Sequence, residues 1–407
     1  MKNLRTALVA CMLSVLLGGS ASAQWVQTNG PHIDVGLVKP FAVIGTNLFA
    51  GTWNDGVFLS TDDGGSWTSV GLTTNHIRAL AAMGTYLFAA DSASGVFLST
   101  NNGAVWTVNS GLPNVPVVSF AVMDTNLFAA LGNFEGGKGG AFVSTNSGTS
   151  WTSVGFTDTT VLCFAVNGTN LFAGTWPGVF VSTNNGGSWT KSSAGLTNFV
   201  FEFAVIGVNL FAGTGTGVFL SSNNGTSWSP VNFGLTSSNV QAFAIVGSNL
   251  FAGTESGGVF LSTNNGTSWT AVNDHLTNTH VQALVVSGSN LIVGTTGGIW
   301  RRPLVEMTTS VREIAGGEVP ERFELEQNYP NPFNPSTTIR YSLPARARVT
   351  LTVFNTLGQE IATIVDQTQD AGYYEVKFDG TNLASGVYFY RLQSGSYVET
   401  KKLILLH

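Results

Sequence analysis

The chain has 407 residues, of which 43% are hydrophobic, 11% aromatic and only 10% charged, with 49 glycines and a formal net charge of −6. Such a composition excludes a disordered chain and points to many short buried strands joined by tight turns, spread over two or three domains. The charge is sparse, negative and without a basic stripe, which argues against nucleic acid as a partner.

The N-terminal residues set the compartment. MKNLR is a positive start, TALVACMLSVLLGG an apolar run, and Ala21-Ser22-Ala23 places small residues at −3 and −1. Residues 1–23 are therefore expected to be a secretory signal cleaved after Ala23, leaving no transmembrane segment in the mature chain. Leu8-Val9-Ala10-Cys11 resembles a lipobox, but cleavage there would leave only about five residues of the apolar run. The mature chain keeps one cysteine, Cys163 in VLCFAV, so no internal disulfide can form and a buried inert thiol is expected.

Residues 24–303 are repetitive. One unit reads VQAFAIVGSNLFAGTESGGVFLSTNNGTSWTAVN and offers four strand-like segments, VQAFAIV, NLFAGT, GVFLST and SWTAVN, separated by Gly, Asn and Ser turns. The NLF-type segment occurs seven times, at Leu48, Leu87, Leu127, Leu171, Leu210, Leu250 and Leu291. A period of about 40 residues with short β-rich segments predicts four-stranded propeller blades and not a helical solenoid. The third and fourth segments are joined by STDDGGSW and five near copies, ending in Trp67, Trp106, Trp151, Trp189, Trp228 and Trp269. The seventh unit stops at GGIWRRP without this turn. QWVQTNG around Trp25 matches the missing fourth strand, so we expect an all-β, seven-bladed ring closed by the N-terminal strand, leaving no open sheet edge.

The pattern Ser-x-Asp-x-Gly-x-x-Trp resembles the Asp-box of sialidases and related propellers. Ser60 and Asp62 are suited to local hydrogen bonds, Gly64 to positive φ and Trp67 to apolar packing. Asn replaces Asp in five copies, which suits a turn and not a catalytic acid. In Asp-box families these turns lie on the face opposite the usual binding site. Sialidases of this resemblance need an arginine triad and a Tyr–Glu pair; Arg78, Arg301, Arg302 and Tyr86 do not supply them here, and those enzymes have six blades. Xyloglucan-cleaving Asp-box enzymes use two propellers, and only one is present. Glycoside hydrolysis or polysaccharide lysis stays open as the alternative to a non-catalytic binding module, as does a purely structural assembly factor of the kind similar to photosystem II stability factors.

A binding face is expected where the units differ. GTWNDG supplies Trp53 and Asp55, LGNFEGGKGG supplies Phe134 and Glu135, GTWPG supplies Trp176 and GTESGG supplies Glu255. At the start of the first strands the equivalent positions read Lys39, Arg78, Val118, Leu162, Phe201, Gln241 and Gln282, and Glu202 is out of pattern beside them. Exposed aromatics with few polar partners suit a polysaccharide, a glycan or a protein ligand. His32, His76, His275 and His280, with Asp34 and Asp274, show no dense ligand spacing; no metal or cofactor is expected.

Composition shifts at residue 304. Residues 304–322 read as a linker, and alternation in TTIRYSLP, VTLTVFN, YYEVKF and VYFYRL predicts a small Ig-like sandwich over 323–407. QNYPNPFNPSTTIRYSLP, LGQEI, FDGTNLASGVYFYRL and KKLILL together resemble the type A C-terminal sorting domain of the type IX secretion system. That resemblance implies Sec transport followed by the type IX machinery, and a secreted or surface-attached product. Tyr329, Asn331, Pro332, Phe333 and Pro335 form a stiff segment expected to be exposed for a receptor.

Overall fold

The computed structural model describes residues 24–406 apart from 31–37, 94, 110, 114, 133–138, 177, 197, 305–306, 308–310, 314–318 and 381–382. The expected cleavage site at Ala21 and Ala23 lies outside the described residues. The chain divides between Arg302 and Pro303 into two compact units, both all-β.

The first unit holds seven four-stranded antiparallel sheets. Blade 1 runs Val38–Ile44, Asn47–Thr52, Val57–Ser60 and Thr68–Ser69, and blades 2 to 6 repeat that order with first strands beginning at Ile77, Val117, Val161, Val200 and Val240. Blade 7 takes Val281–Ser287, Asn290–Thr295 and Gly298–Pro303, and its fourth strand is Val26–Gln27. Val26 stands opposite Arg301 and Gln27 opposite Trp300. Each first strand abuts those of the adjacent blades, and blade 7 abuts blade 1, so the sheets close into a ring.

The second strands explain the tight stacking. Leu48, Phe49 and Ala50 of NLFAGT, and their equivalents in every blade, are buried on both faces of the sheet. That is why the segment reads as an unbroken apolar run. In blades 1, 4, 5, 6 and 7 a glycine follows and leaves room for the next blade: a Cβ on Gly253 would lie 2.3 Å from Val281 Cγ1, and one on Gly51 would lie 2.6 Å from Ile77 Cγ2.

Tryptophans join the blades. In five blades the carbonyl three residues after the blade's own tryptophan accepts from the indole of the following blade. Trp106 Nε1 donates to Val70 O (2.7 Å), Trp189 to Val154 O (2.6 Å), Trp228 to Ser192 O (2.8 Å) and Trp269 to Val231 O (2.7 Å). Trp25, 3% exposed, does the same with Val272 O (2.6 Å), and Trp67 turns to Thr28 Oγ1 (3.2 Å). A local irregularity frees these carbonyls. In blade 1 the Val57 N–H bonds to Gly71 O and bypasses Val70; in blades 5 and 6 the Asn232 and Asn273 side chains take the N–H of Val218 and Val259. Blade 2 lacks the shift, since Val96 stands directly opposite Asn109, and the buried Trp151 Nε1 finds no partner.

The second unit packs two four-stranded antiparallel sheets around one core. One sheet comprises Val311–Glu313, Gly372–Asp379, Ser336–Leu343 and Glu324–Leu325; the other Glu360–Gln369, Ala347–Phe354, Gly386–Ser394 and Tyr397–Leu405. Ile339, Leu343 and Val376 from one sheet and Leu351, Tyr390 and Leu392 from the other are fully buried. Part of the stretch read as a linker is thus an edge strand, Val311–Glu313, paired with Tyr374–Val376. The segment 329–335, expected to be exposed, is not uniformly so. Tyr329 is 82% exposed, but Phe333 is 2% exposed, its N–H donating to Ile404 O and its carbonyl accepting from the Leu406 N–H. Asn331 Oδ1 accepts from the Ile404 N–H (2.9 Å), so the final strand holds the motif by its backbone.

Two stability outcomes follow. Trp25→Ala removes a buried ring and the blade 7 clasp, and should cost about 3–5 kcal/mol in urea unfolding. Trp189→Phe or Trp228→Phe loses a satisfied hydrogen bond, and should cost roughly 1 kcal/mol more than Trp151→Phe, whose indole has no partner to lose.

Candidate functional site

The two ends of the ring differ in chemistry. At one end lie the turns between third and fourth strands, where the Ser and Asp or Asn side chains of the motif bond within their own turn. Ser60 Oγ donates to Asp62 Oδ1 (2.8 Å), while the N–H groups of Gly64 and Ser66 donate to Ser60 Oγ and Asp62 Oδ1 (both 2.8 Å). The Asn copies reproduce this with Asn101, Asn146, Asn184, Asn223 and Asn264. Gly64 has φ +82° after Asp63 at +54°, a left-handed pair that Asn/Asp-Gly tolerates. The N–H of Ser66 and the neighbouring hydroxyls hold the Asp62 carboxyl at about 2, well below its usual range.

At the other end a cavity of about 240 Å³ opens on the ring's axis. A β-bulge builds it. In every blade the pairing of the first strand with the second skips the residue after the strand's opening position. The skipped residues Pro40, Arg78, Val118, Leu162, Phe201, Gln241 and Gln282 all line the cavity, together with Glu202. A bulge re-aims a side chain that regular alternation would place elsewhere. Blade 1 skips two residues, Lys39 and Pro40, and its proline faces the cavity.

Aromatic groups flank this axis. The Trp53 ring stacks on His76 (4.9 Å, 12°), and the Arg78 guanidinium lies over the Trp53 ring at 4.8 Å. Desolvation by burial pushes the Arg78 pKa down from its ordinary value. Across the ring, Trp176 is 56% exposed and stacks on Phe199 (4.9 Å, 16°), which meets Phe201 edge-on (4.9 Å). The expected residues thus gather into two groups, Trp53 with Arg78 and Trp176 with Phe201, with Glu202 on the cavity wall. Asp55 stands apart from them; its backbone N–H donates to Thr52 Oγ1. Phe134 and Glu135 lie outside the described residues. Cys163 is buried and its thiol donates to Val200 O (3.4 Å).

Two features escaped the sequence. His76 is a stacking partner of Trp53 and not merely a loop histidine, and a row of asparagines braces the face. Asn75 donates to Asp91 (2.5 Å), Asn198 to Thr216 (2.7 Å), Asn239 to Glu255 (2.5 Å) and Asn278 to Thr296 (3.1 Å), each tying the entry of a blade to its second loop. The recurrence of Asn just before the first strand was the available signal. Among the described residues no three His, Cys, Asp or Glu side chains cluster as a metal site, and no helix is long and apolar enough to cross a membrane.

Residues 327–406 match the family model of the secretion system C-terminal sorting domain. The chain is therefore exported through the type IX secretion machinery to the cell surface or the extracellular space. A search of curated proteins finds no match. Solved structures share the propeller fold. YCF48 from Cyanidioschyzon merolae is 13% identical, with 69% of this chain and 98% of that one covered (TM-score 0.53). YCF48 bound to D1 peptide is 12% identical, over 69% and 96% (TM-score 0.54). The extracellular domain of the putative one component system BT4673 from B. thetaiotaomicron is 15% identical, over 84% and 47% (TM-score 0.57).

Asp62 gives the box end a pH signature. Its pKa falls from 3.8 unfolded to about 2 folded, so its contribution is complete above pH 3.8 and is lost as pH drops toward 2. Asp62→Asn, which copies the other five boxes, should leave thermal stability at pH 7 nearly unchanged and flatten its decline between about pH 4 and 2.

Proposed function

We propose that the propeller is a non-catalytic carbohydrate-binding module delivered outside the cell by its sorting domain. One observation carries this reading: two stacked aromatic pairs, Trp53–His76 and Trp176–Phe199, flank an axial cavity whose wall carries an arginine, a glutamate and two carboxamides. Flat aromatic faces take sugar rings, and a few placed polar groups fix their orientation. The box turns act as blade joints of the Asp-box type, and the C-terminal unit as an Ig-like address that follows a cleaved signal peptide.

A peptide occupant is the second reading, supported by the YCF48 complex with D1 peptide among similar folds. Glycoside cleavage needs a pair of carboxylates, and among the described residues lining the cavity Glu202 is the one acid. A glycan array probed with the full chain should give a defined set of hits. Trp53→Ala and Trp176→Ala should each weaken the best hit about tenfold, roughly 1.4 kcal/mol, with unchanged unfolding midpoints. Shortening of that glycan on incubation, lost in Glu202→Gln, would replace the binding reading with an enzymatic one.

A further inference from the structure

The polar groups of the cavity wall are unevenly satisfied. Arg78 Nε and Gln282 Oε1 are both buried and find no hydrogen-bond partner within the protein. No ion pair forms to Arg78 among the described residues; the Trp53 ring over its guanidinium is its recorded contact. Both residues are bulge residues, and their re-aimed side chains line the same cavity. Both side chains line the cavity, so its wall carries a guanidinium and a neutral carboxamide that the protein itself leaves incompletely paired. Buried groups of this kind are ordinarily paired, and a guanidinium fork matches a carboxylate.

We propose that the axial cavity takes an acidic sugar of the uronate type within a polysaccharide, with its carboxylate on Arg78 and a hydroxyl donated to Gln282. This rests on the carbohydrate reading above and narrows it. A neutral sugar leaves the arginine without an anion, and a simple carboxylate leaves the glutamine without a donor; a sugar acid answers both. The aromatic pairs on either side take the flanking rings, which favours a chain over a free monosaccharide. The formal charge of −6 means that a polyanion gains nothing from general attraction, so any preference for it reports the local site.

The test is calorimetric titration of the full chain with an oligogalacturonate and with the same oligomer after chemical reduction of its carboxyl groups. The acid should bind at least about tenfold more tightly. Arg78→Gln should erase that difference, and Arg78→Lys should restore only part of it, because an ammonium lacks the fork. Partial recovery in Arg78→Lys is the readout that a merely structural role for Arg78 does not produce. Equal binding of the two oligomers, or a preference that survives Arg78→Gln, overturns the proposal while leaving carbohydrate binding intact. Binding of neither oligomer, with no other glycan bound on the array, overturns both. If Arg78→Gln fails to fold, the comparison of the two oligomers on the unaltered chain decides alone.

Discussion

A buried indole N–H is costly to leave without an acceptor, and at most joints of this ring it finds one in the blade before it. In five of the seven joints the indole bonds the carbonyl three residues after the previous tryptophan, so those blades depend on their predecessors. The carbonyl is available only where the fourth strand departs from regular pairing, so the irregular outer strands are as necessary as the tryptophans. The seam between blades 2 and 3 shows the converse. Where Asn109 stays in register with Val96, Trp151 is buried but unbonded.

The two ends of the ring divide their polar chemistry differently. Box turns consume their own donors and acceptors, and their similarity from blade to blade reflects a joint that must be repeated. The opposite end is braced by asparagines yet leaves the bulge positions free to vary. Seven equivalent positions carry Pro, Arg, Val, Leu, Phe, Gln and Gln, giving the wall a chemical direction that a perfectly repeated ring lacks. On the proposed reading, that asymmetry within the repeat is what an asymmetric ligand would meet.

Much of this was legible in the chain itself. NLFAGT is buried on both faces and so declares itself as a central strand; Trp25 declares itself as the absent seventh partner. The bulge positions were legible as equivalent residues, although nothing in Arg78 or Gln282 alone says that the ladder skips them. Phe333 was misread because a proline-flanked aromatic looks exposed in isolation; its backbone is held by Ile404 and Leu406, some seventy residues away, and its ring joins the sandwich core beside Phe378. The stacking of Trp53 on His76 was hidden for the same reason, since the pairing joins the second loop of one blade to the entry of the next.

Closure of the ring also fixes an order in time. Neighbouring blades meet within about 40 residues and can assemble in succession, but Trp25 must reach Val272, 247 residues along the chain. Until then blade 7 has three strands, and Gly298–Pro303 is an open edge able to pair with another chain. The oldest residues of the propeller are thus the last to be seated, and the length of that wait governs how long each molecule is open to a wrong partner.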